Sequence, residues 1–130
     1  NSGVGVVHAL AHATGARFNT HHGITNAVYL PHGMRFNLEY AAPMYARAAR
    51  ALGFSSSLDD NEATEALIAR VEKLLVEVGL PRKLRDLGVP SLSGEALSEW
   101  AELVLEDPAI IFNPREASSD DIIGIYQRAY

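Results

Sequence analysis

Histidines are the side chains with the clearest capacity for chemistry in this sequence. All five, His8, His12, His21, His22 and His32, lie within the first 32 of 130 residues. His8 and His12 are four residues apart, so on a helix their rings project from one face, about one turn from each other. Because the chain contains no cysteine, a bound metal must be held by imidazole nitrogen or carboxylate oxygen.

The spacing of His8 and His12 matches the helical two-histidine motif that binds zinc, although Ala9 stands where that motif carries glutamate. His22 follows after a loop and can join the pair. The surrounding segment, residues 6–13, is strongly apolar, and burying imidazoles there costs free energy unless each ring nitrogen gains a partner. A metal with its outer hydrogen bonds supplies such partners. We therefore expect a metal site that draws on His8, His12 and His22.

A structural role is the simpler interpretation elsewhere. A single histidine among apolar residues is more often a hydrogen-bonded core residue than a ligand, and we prefer that interpretation for His21 and for His32. The periodic leucines and valines of residues 67–78 are assigned to the core, without a chemical role.

Two predicted helices carry the histidines. The first spans residues 4–14, with Gly15 as the residue that ends it. A loop to Gly23 leads to the second, residues 24–38, in which Pro31 predicts a kink and a break near Leu30.

Later segments predict further helices. One spans residues 41–52, with Pro43 in its first turn and a stop at Gly53 and serines 55–57. The next is capped by Asp59 or Asp60 and ends before Gly79. A third is capped by Ser93 and stops before Pro108, and a last one runs from Ser118 to about Arg128. Residues 80–92 are the least regular connection, and no segment alternates as a strand would. The fold class is therefore all-α, a bundle-like domain of six or so helices.

Composition narrows the function. The net charge of −5 comes from scattered acids and no basic stretch is present, so nucleic acid is not an expected partner. No apolar run is long enough to span a bilayer and no signal peptide is evident, so a cytoplasmic protein is expected. The chain opens at Asn1 without methionine and enters an apolar segment at once, and we expect it to be part of a longer protein.

The sequence also resembles a known family. Residues 8–27 read HALAHATGARFNTHHGITNA and are followed by Leu30-Pro31-His32 and by Phe36-Asn37. This succession resembles the signature of the iron-containing (group III) alcohol dehydrogenases, and its specificity comes from the whole pattern. Residues 79–89 are similar to the same family, so the resemblance covers essentially the whole chain.

The resemblance implies a two-domain enzyme. An N-terminal α/β domain, which these residues do not include, binds NAD(P), and the helical C-terminal domain, residues 1–130, holds Fe²⁺ or Zn²⁺. The metal acts as a Lewis acid on the oxygen of an alcohol or aldehyde while hydride is exchanged with the nicotinamide. Its ligands are an Asp and three His, of which two fall on His8 and His22. Spacing alone would have paired His8 with His12; the resemblance instead places His12 beside the nicotinamide, as a catalytic and cofactor-binding residue that relays or orients protons.

One departure concerns His21, which stands where the family usually has proline. The Asp ligand and the remaining His ligand are supplied by no residue of this sequence, so the isolated chain is expected to bind metal weakly and to lack dehydrogenase activity. Oligomeric state stays open, with a homo-oligomer as one alternative.

Three other interpretations remain. Dehydroquinate synthase and glycerol dehydrogenase relatives usually continue His-Gly-Glu, whereas Ile24 follows here, and maleylacetate reductases tend to have Ala in place of Gly23. The third is a non-catalytic helical module that binds metal or a partner through its histidines.

Overall fold

The computed structural model describes residues 4–53 and 59–130, and within these ranges it is helical, without strands. The helices are α1 Val6–Phe18, α2 His22–Phe36, α3 Leu38–Ala51, α4 Asp60–Glu77, α5 Gly94–Leu105 and α6 Ser119–Ala129, with short 3-10 helices at Leu84–Leu87 and Pro108–Phe112. The all-α, multi-helix prediction is therefore confirmed.

Two hydrophobic clusters hold these helices. The larger one joins α1, α2, α5 and α6, and its largest fully buried side chains are Trp100, Tyr29 and Tyr126. The smaller one lies between α3, α4 and the end of α2, where small residues such as Ala46 and Ala49 are completely buried. Alanine at these positions allows the backbones of α3 and α4 to approach closely.

The predicted end of the first helix was wrong. α1 continues through Gly15 to Phe18, and the residue in the left-handed conformation is Asn19, with φ 53°. The backbone N–H of Asn19 donates to the carbonyl of Gly15 at 2.8 Å. Asparagine tolerates the left-handed region, so it ends the helix here and Gly15 remains helical.

Both proline predictions also need correction. α2 runs through Pro31 without a break, and α3 begins at Leu38 rather than at residue 41, so Pro43 lies inside the helix instead of in its first turn. Each proline removes one backbone hydrogen bond. Burial of Pro31, together with Tyr29 and Gly33 two residues to either side, offsets that loss in α2.

The capping predictions were largely correct. Asp59 caps α4 and Ser118 caps α6, each through a reciprocal capping box with the residue three positions later. Ser93 does precede α5 but makes no side-chain capping bond. The predicted serine loop at residues 55–57 lies outside the described residues.

The core assignment for α4 was correct in part. Leu67 and Leu75 are buried, whereas Leu74 and Val78 are exposed. The irregular connection predicted for residues 80–92 contains one short 3-10 helix, anchored by the fully buried Leu84.

The start of α1 is fixed by two asparagines. The side-chain oxygen of Asn113 accepts the backbone N–H of Val6 at 3.1 Å and the side-chain amide of Asn37 at 2.9 Å. The Asn113 amide donates in return to the side-chain oxygen of Asn37 at 2.8 Å. These bonds tie the beginning of α1 to the end of α2, two residues before His8.

Candidate metal centre

Three histidines from α1 and α2 lie together at one surface. The ring centroids of His8 and His12 are 5.9 Å apart, those of His8 and His22 are 5.5 Å apart, and those of His12 and His22 are 5.2 Å apart. The first pair is adjacent because α1 places residues i and i+4 on one face. His22 joins them because it is the first residue of α2, which packs against α1. The three rings therefore lie together as expected from the sequence, while their role in a metal site stays a prediction.

The orientation of the rings distinguishes the pairs. An imidazole binds a metal in the plane of its ring, at about 2 Å from nitrogen, so two imidazoles on one ion have centroids on the order of 5 Å apart. The planes of His8 and His22 are tilted by 55°, which allows their in-plane lone pairs to converge. The planes of His12 and His22 differ by only 19°, a stacked arrangement that directs the lone pairs side by side. The ring angles therefore favour a pair that includes His8, with either His22 or His12, since the planes of His8 and His12 differ by 74°.

Two imidazoles are only part of a metal site. Within residues 4–53 and 59–130, no group of three or more His, Cys, Asp or Glu side chains is arranged to hold an ion. The donor set nevertheless suits Fe²⁺ or Zn²⁺, which imidazole binds well. Burial, followed by the neighbouring His22 and His12, lowers the pKa of His8, while Asp107 opposes this effect. The lowered pKa favours the neutral imidazole, which is the form that binds a metal.

Asp107 contacts His12 and was not foreseen from the sequence. Its Oδ2 lies 2.9 Å from His12 Nδ1, while its Oδ1 accepts the backbone N–H of Ala109 at 2.8 Å. The second bond fixes the carboxylate, because Asp107 is the N-cap of the 3-10 helix Pro108–Phe112. A proton on His12 Nδ1 is therefore directed at Asp107, and Nε2 is left as the acceptor. Only the Asp-Pro step, a local capping pattern, marks Asp107 in the sequence.

Asn26 is a second residue that sequence reasoning missed. Its side-chain amide nitrogen lies 3.3 Å from His22 Nδ1 and 3.1 Å from His22 Nε2, and it donates to the His22 carbonyl at 3.0 Å. Its side-chain oxygen is buried and has no hydrogen-bond partner in the described part of the chain. An unpartnered buried oxygen beside His22 fits a site that another group completes. The spacing of four residues on α2 is the sequence signal for this contact.

The other two histidines do not join the cluster. His21 is exposed and caps α2, where its Nδ1 accepts the backbone N–H of Ile24 at 3.4 Å, so it is hydrogen-bonded as predicted but is not a core residue. His32 is partly buried and lines a different pocket, between α2 and α4.

An open cleft of about 570 Å³ adjoins His12. Asp107 and Arg17 contribute polar groups to its wall, and Leu103, which is 50% exposed, contributes an apolar surface. The cleft gives small molecules or another protein segment access to the His12 ring.

The sequence of this chain is similar to that of known proteins along its whole length. A family model described as the Fe-containing alcohol dehydrogenase family, C-terminal, matches residues 1–130. Lactaldehyde reductase of Escherichia coli strain K12 is 39% identical over 131 residues, which cover 100% of this chain and 34% of that protein. The 1,3-propanediol dehydrogenase of Klebsiella pneumoniae is 35% identical over 131 residues, covering 100% of this chain and 33% of that protein. The chain thus spans about a third of the length of these relatives.

Solved structures agree in fold. A crystal structure of 1,3-propanediol oxidoreductase superimposes with a TM-score of 0.89 at 35% identity, over 97% of this chain and 32% of that one. Maleylacetate reductase from Agrobacterium tumefaciens superimposes with a TM-score of 0.67 at 28% identity, over 98% of this chain and 32% of that one. The similarity to the propanediol enzyme is the greater of the two, in sequence and in fold.

No helix in the described residues is long and apolar enough to cross a membrane.

Proposed function

The chain belongs to the Fe-containing alcohol dehydrogenase family, and from this membership and the histidine cluster we propose that it is the helical, metal-binding part of an NAD(P)-dependent alcohol dehydrogenase. The observation that carries the proposal is the proximity of the His8, His12 and His22 rings at the junction of α1 and α2. The substrate is an alcohol or aldehyde, consistent with relatives named for lactaldehyde and 1,3-propanediol. A cytoplasmic location stays a prediction from the sequence.

His8 and His22 are the proposed ligands of Fe²⁺ or Zn²⁺, supported by their 5.5 Å separation and their tilted rings. A divalent cation at this position supplies a Lewis acid for the oxygen of the alcohol or aldehyde. The Asn26 side chain, held against the His22 ring and the His22 carbonyl, restricts the rotation of that ring. Such outer contacts orient metal ligands and keep the site preorganised.

His12 is the proposed proton-handling and cofactor-facing residue. The Asp107 carboxylate binds its Nδ1 at 2.9 Å, and this contact leaves Nε2 to accept or return the proton of a substrate hydroxyl. The near-parallel stacking of His12 on His22 supports separate roles, because the two rings do not direct their lone pairs at one point. The cleft beside His12 is the proposed approach for substrate and nicotinamide.

The two remaining metal ligands and the NAD(P) site are proposed to come from an N-terminal nucleotide-binding domain of the whole enzyme. This division is supported by the share of the relatives that the chain covers, 34% of the lactaldehyde reductase. Two imidazoles alone bind a divalent ion weakly, so we expect weak metal binding and no alcohol oxidation by the 130-residue chain. Tight metal binding by this chain alone would instead support a non-catalytic metal-binding module.

Metal analysis of the whole enzyme that contains this chain tests the residue roles. His8→Ala and His22→Ala should each reduce the bound metal strongly, whereas His12→Ala should retain the metal and lose turnover. His21→Asn is the matched control, because asparagine preserves the helix cap and removes the neighbouring imidazole; it should retain the metal. Full metal occupancy in both His8→Ala and His22→Ala would refute the assignment.

A further inference from the structure

A second pocket lies between α2, α4 and residues 81–83, and it shares no lining residue with the cleft beside His12. Its volume is about 310 Å³. The lining combines apolar and charged side chains: Val28, Pro31, His32, Glu72, Leu75, Arg82 and Lys83. The proposed dehydrogenase function assigns no role to any of these residues.

The charge at this pocket is positive, in a chain with a net charge of −5. Glu72 is already paired, since Arg35 contacts its two carboxylate oxygens at 2.7 and 3.2 Å. The Lys83 ammonium donates to the backbone carbonyl of Arg128 at 2.8 Å, which leaves two of its protons available. Arg82 makes no hydrogen bond or close ion pair within the described ranges, and its charge contributes, after that of Arg35, to the lowered pKa of Glu72. A negatively charged ligand would therefore meet the positive charges of Arg82 and Lys83, while the negative charge of Glu72 is neutralised by Arg35.

His32 is a further polar group in the lining of the pocket. Its side chain is partly buried, and no hydrogen bond joins it to another described residue. Burial, together with the positive charges of Lys83 and Arg35, lowers its pKa to about 4. At neutral pH the ring is therefore uncharged and presents an N–H donor that no protein group satisfies.

We propose that this pocket binds a small organic carboxylate with a short alkyl chain. Its carboxylate contacts Arg82 and Lys83, whose donors match carboxylate oxygens, and the His32 ring N–H supplies a further bond. Its alkyl part covers Val28, Pro31 and Leu75. A bare phosphate would leave these apolar side chains uncovered, so the mixed lining favours an amphiphilic anion.

Titration of the chain with butyrate, 1-butanol and inorganic phosphate tests the proposal. Binding can be followed by amide and imidazole chemical shifts in NMR spectra. Butyrate should bind with a dissociation constant on the order of 1 mM, as expected for a ligand of this size, and should shift the His32 signals. The neutral alcohol and the phosphate should each bind at least about tenfold more weakly, a difference of about 1.4 kcal/mol.

Variants locate the site. Arg82→Gln and Lys83→Gln should each weaken butyrate binding about fivefold or more, because each removes a charged donor. Arg85→Gln is the matched control, since Arg85 is an exposed arginine in the adjacent 3-10 helix and does not line the pocket. Unchanged amide spectra would show that each variant is folded. Equal binding of 1-butanol, stronger binding of phosphate, or no effect of Arg82→Gln and Lys83→Gln would overturn the proposal.

Discussion

Two glycines at equivalent helix positions test whether α1 and α2 are packed as described. Gly15 and Gly33 each lie three residues before the end of their helix, and each carbonyl accepts the N–H of an asparagine four residues later. They differ in their surroundings. A Cβ at Gly15 would meet Thr20 at 3.6 Å, an ordinary contact, whereas a Cβ at Gly33 would collide with Val7 Cγ2 and approach Val6 Cγ1 to 3.4 Å.

The expected effects therefore have opposite signs. Replacing a helical glycine by alanine stabilises the folded state by about 0.5–1 kcal/mol through backbone entropy, and Gly15→Ala should show this gain. Gly33→Ala receives the same gain but must displace a valine that is stiff at χ1, and overpacking of this kind costs about 1–3 kcal/mol. The two variants should thus differ by about 1–3 kcal/mol in the free energy of unfolding, with Gly33→Ala the less stable.

Urea unfolding followed by circular dichroism measures this difference directly. Gly33→Ala should cost less stability when it is introduced into Val7→Ala than when it is introduced into the unaltered chain, because the colliding methyl groups of Val7 are then absent. Because residue 7 adjoins His8, Gly33→Ala should also weaken metal binding by the whole enzyme, while Gly15→Ala should not. Equal stability of the two single variants would refute the described contact between α1 and α2.

Three further predictions concern single side chains. Asn113→Ala should destabilise the chain by about 2 kcal/mol in chemical denaturation, because it leaves the Val6 N–H and the Asn37 side chain without their partner; a change below about 0.5 kcal/mol would contradict this. Asp107→Asn should shift the tautomer of His12, seen in imidazole ¹⁵N shifts, and should lower turnover of the whole enzyme about tenfold or more; unchanged ¹⁵N shifts would count against the contact. Because the pKa of His32 is lowered in the folded state, the unfolded chain binds more protons than the folded chain between pH 4 and pH 6.5. The free energy of unfolding should therefore rise with pH across this range, and His32→Gln should reduce the slope of that rise. An unaltered slope in His32→Gln would show that His32 is not its source.

Local sequence signals predicted the fold well where the interaction is also local. The capping boxes at Asp59 and Ser118 each lie within four consecutive residues, and both form. The end of α1 was less predictable, because Gly15 and Asn19 can both adopt the left-handed conformation and only the packed structure selects between them. The helix at Pro31 is likewise decided by burial, which the proline rule does not include.

The candidate site shows the same limit. His8, His12 and His22 could be grouped from spacing because the two helices that carry them are consecutive. Asp107 could not, since 95 residues separate it from His12 and the two meet only when the 3-10 helix Pro108–Phe112 packs against α1. The Asn37 and Asn113 pair has a similar origin, with a separation of 76 residues. The sequence therefore predicted which histidines lie together but not the groups that contact them.

The position of the histidines relative to the core bears on the kind of metal site that we propose for them. Structural zinc sites enclose the ion with four ligands and stabilise the fold, whereas catalytic sites keep an open position. Here Trp100, Tyr29 and Tyr126 form a core that contains none of the three histidines, and His12 and His22 are exposed. The described core is therefore built without these histidines. The helices hold the three imidazoles and the His12–Asp107 pair together at an open surface, which supports our proposal of a catalytic site completed by another part of an enzyme.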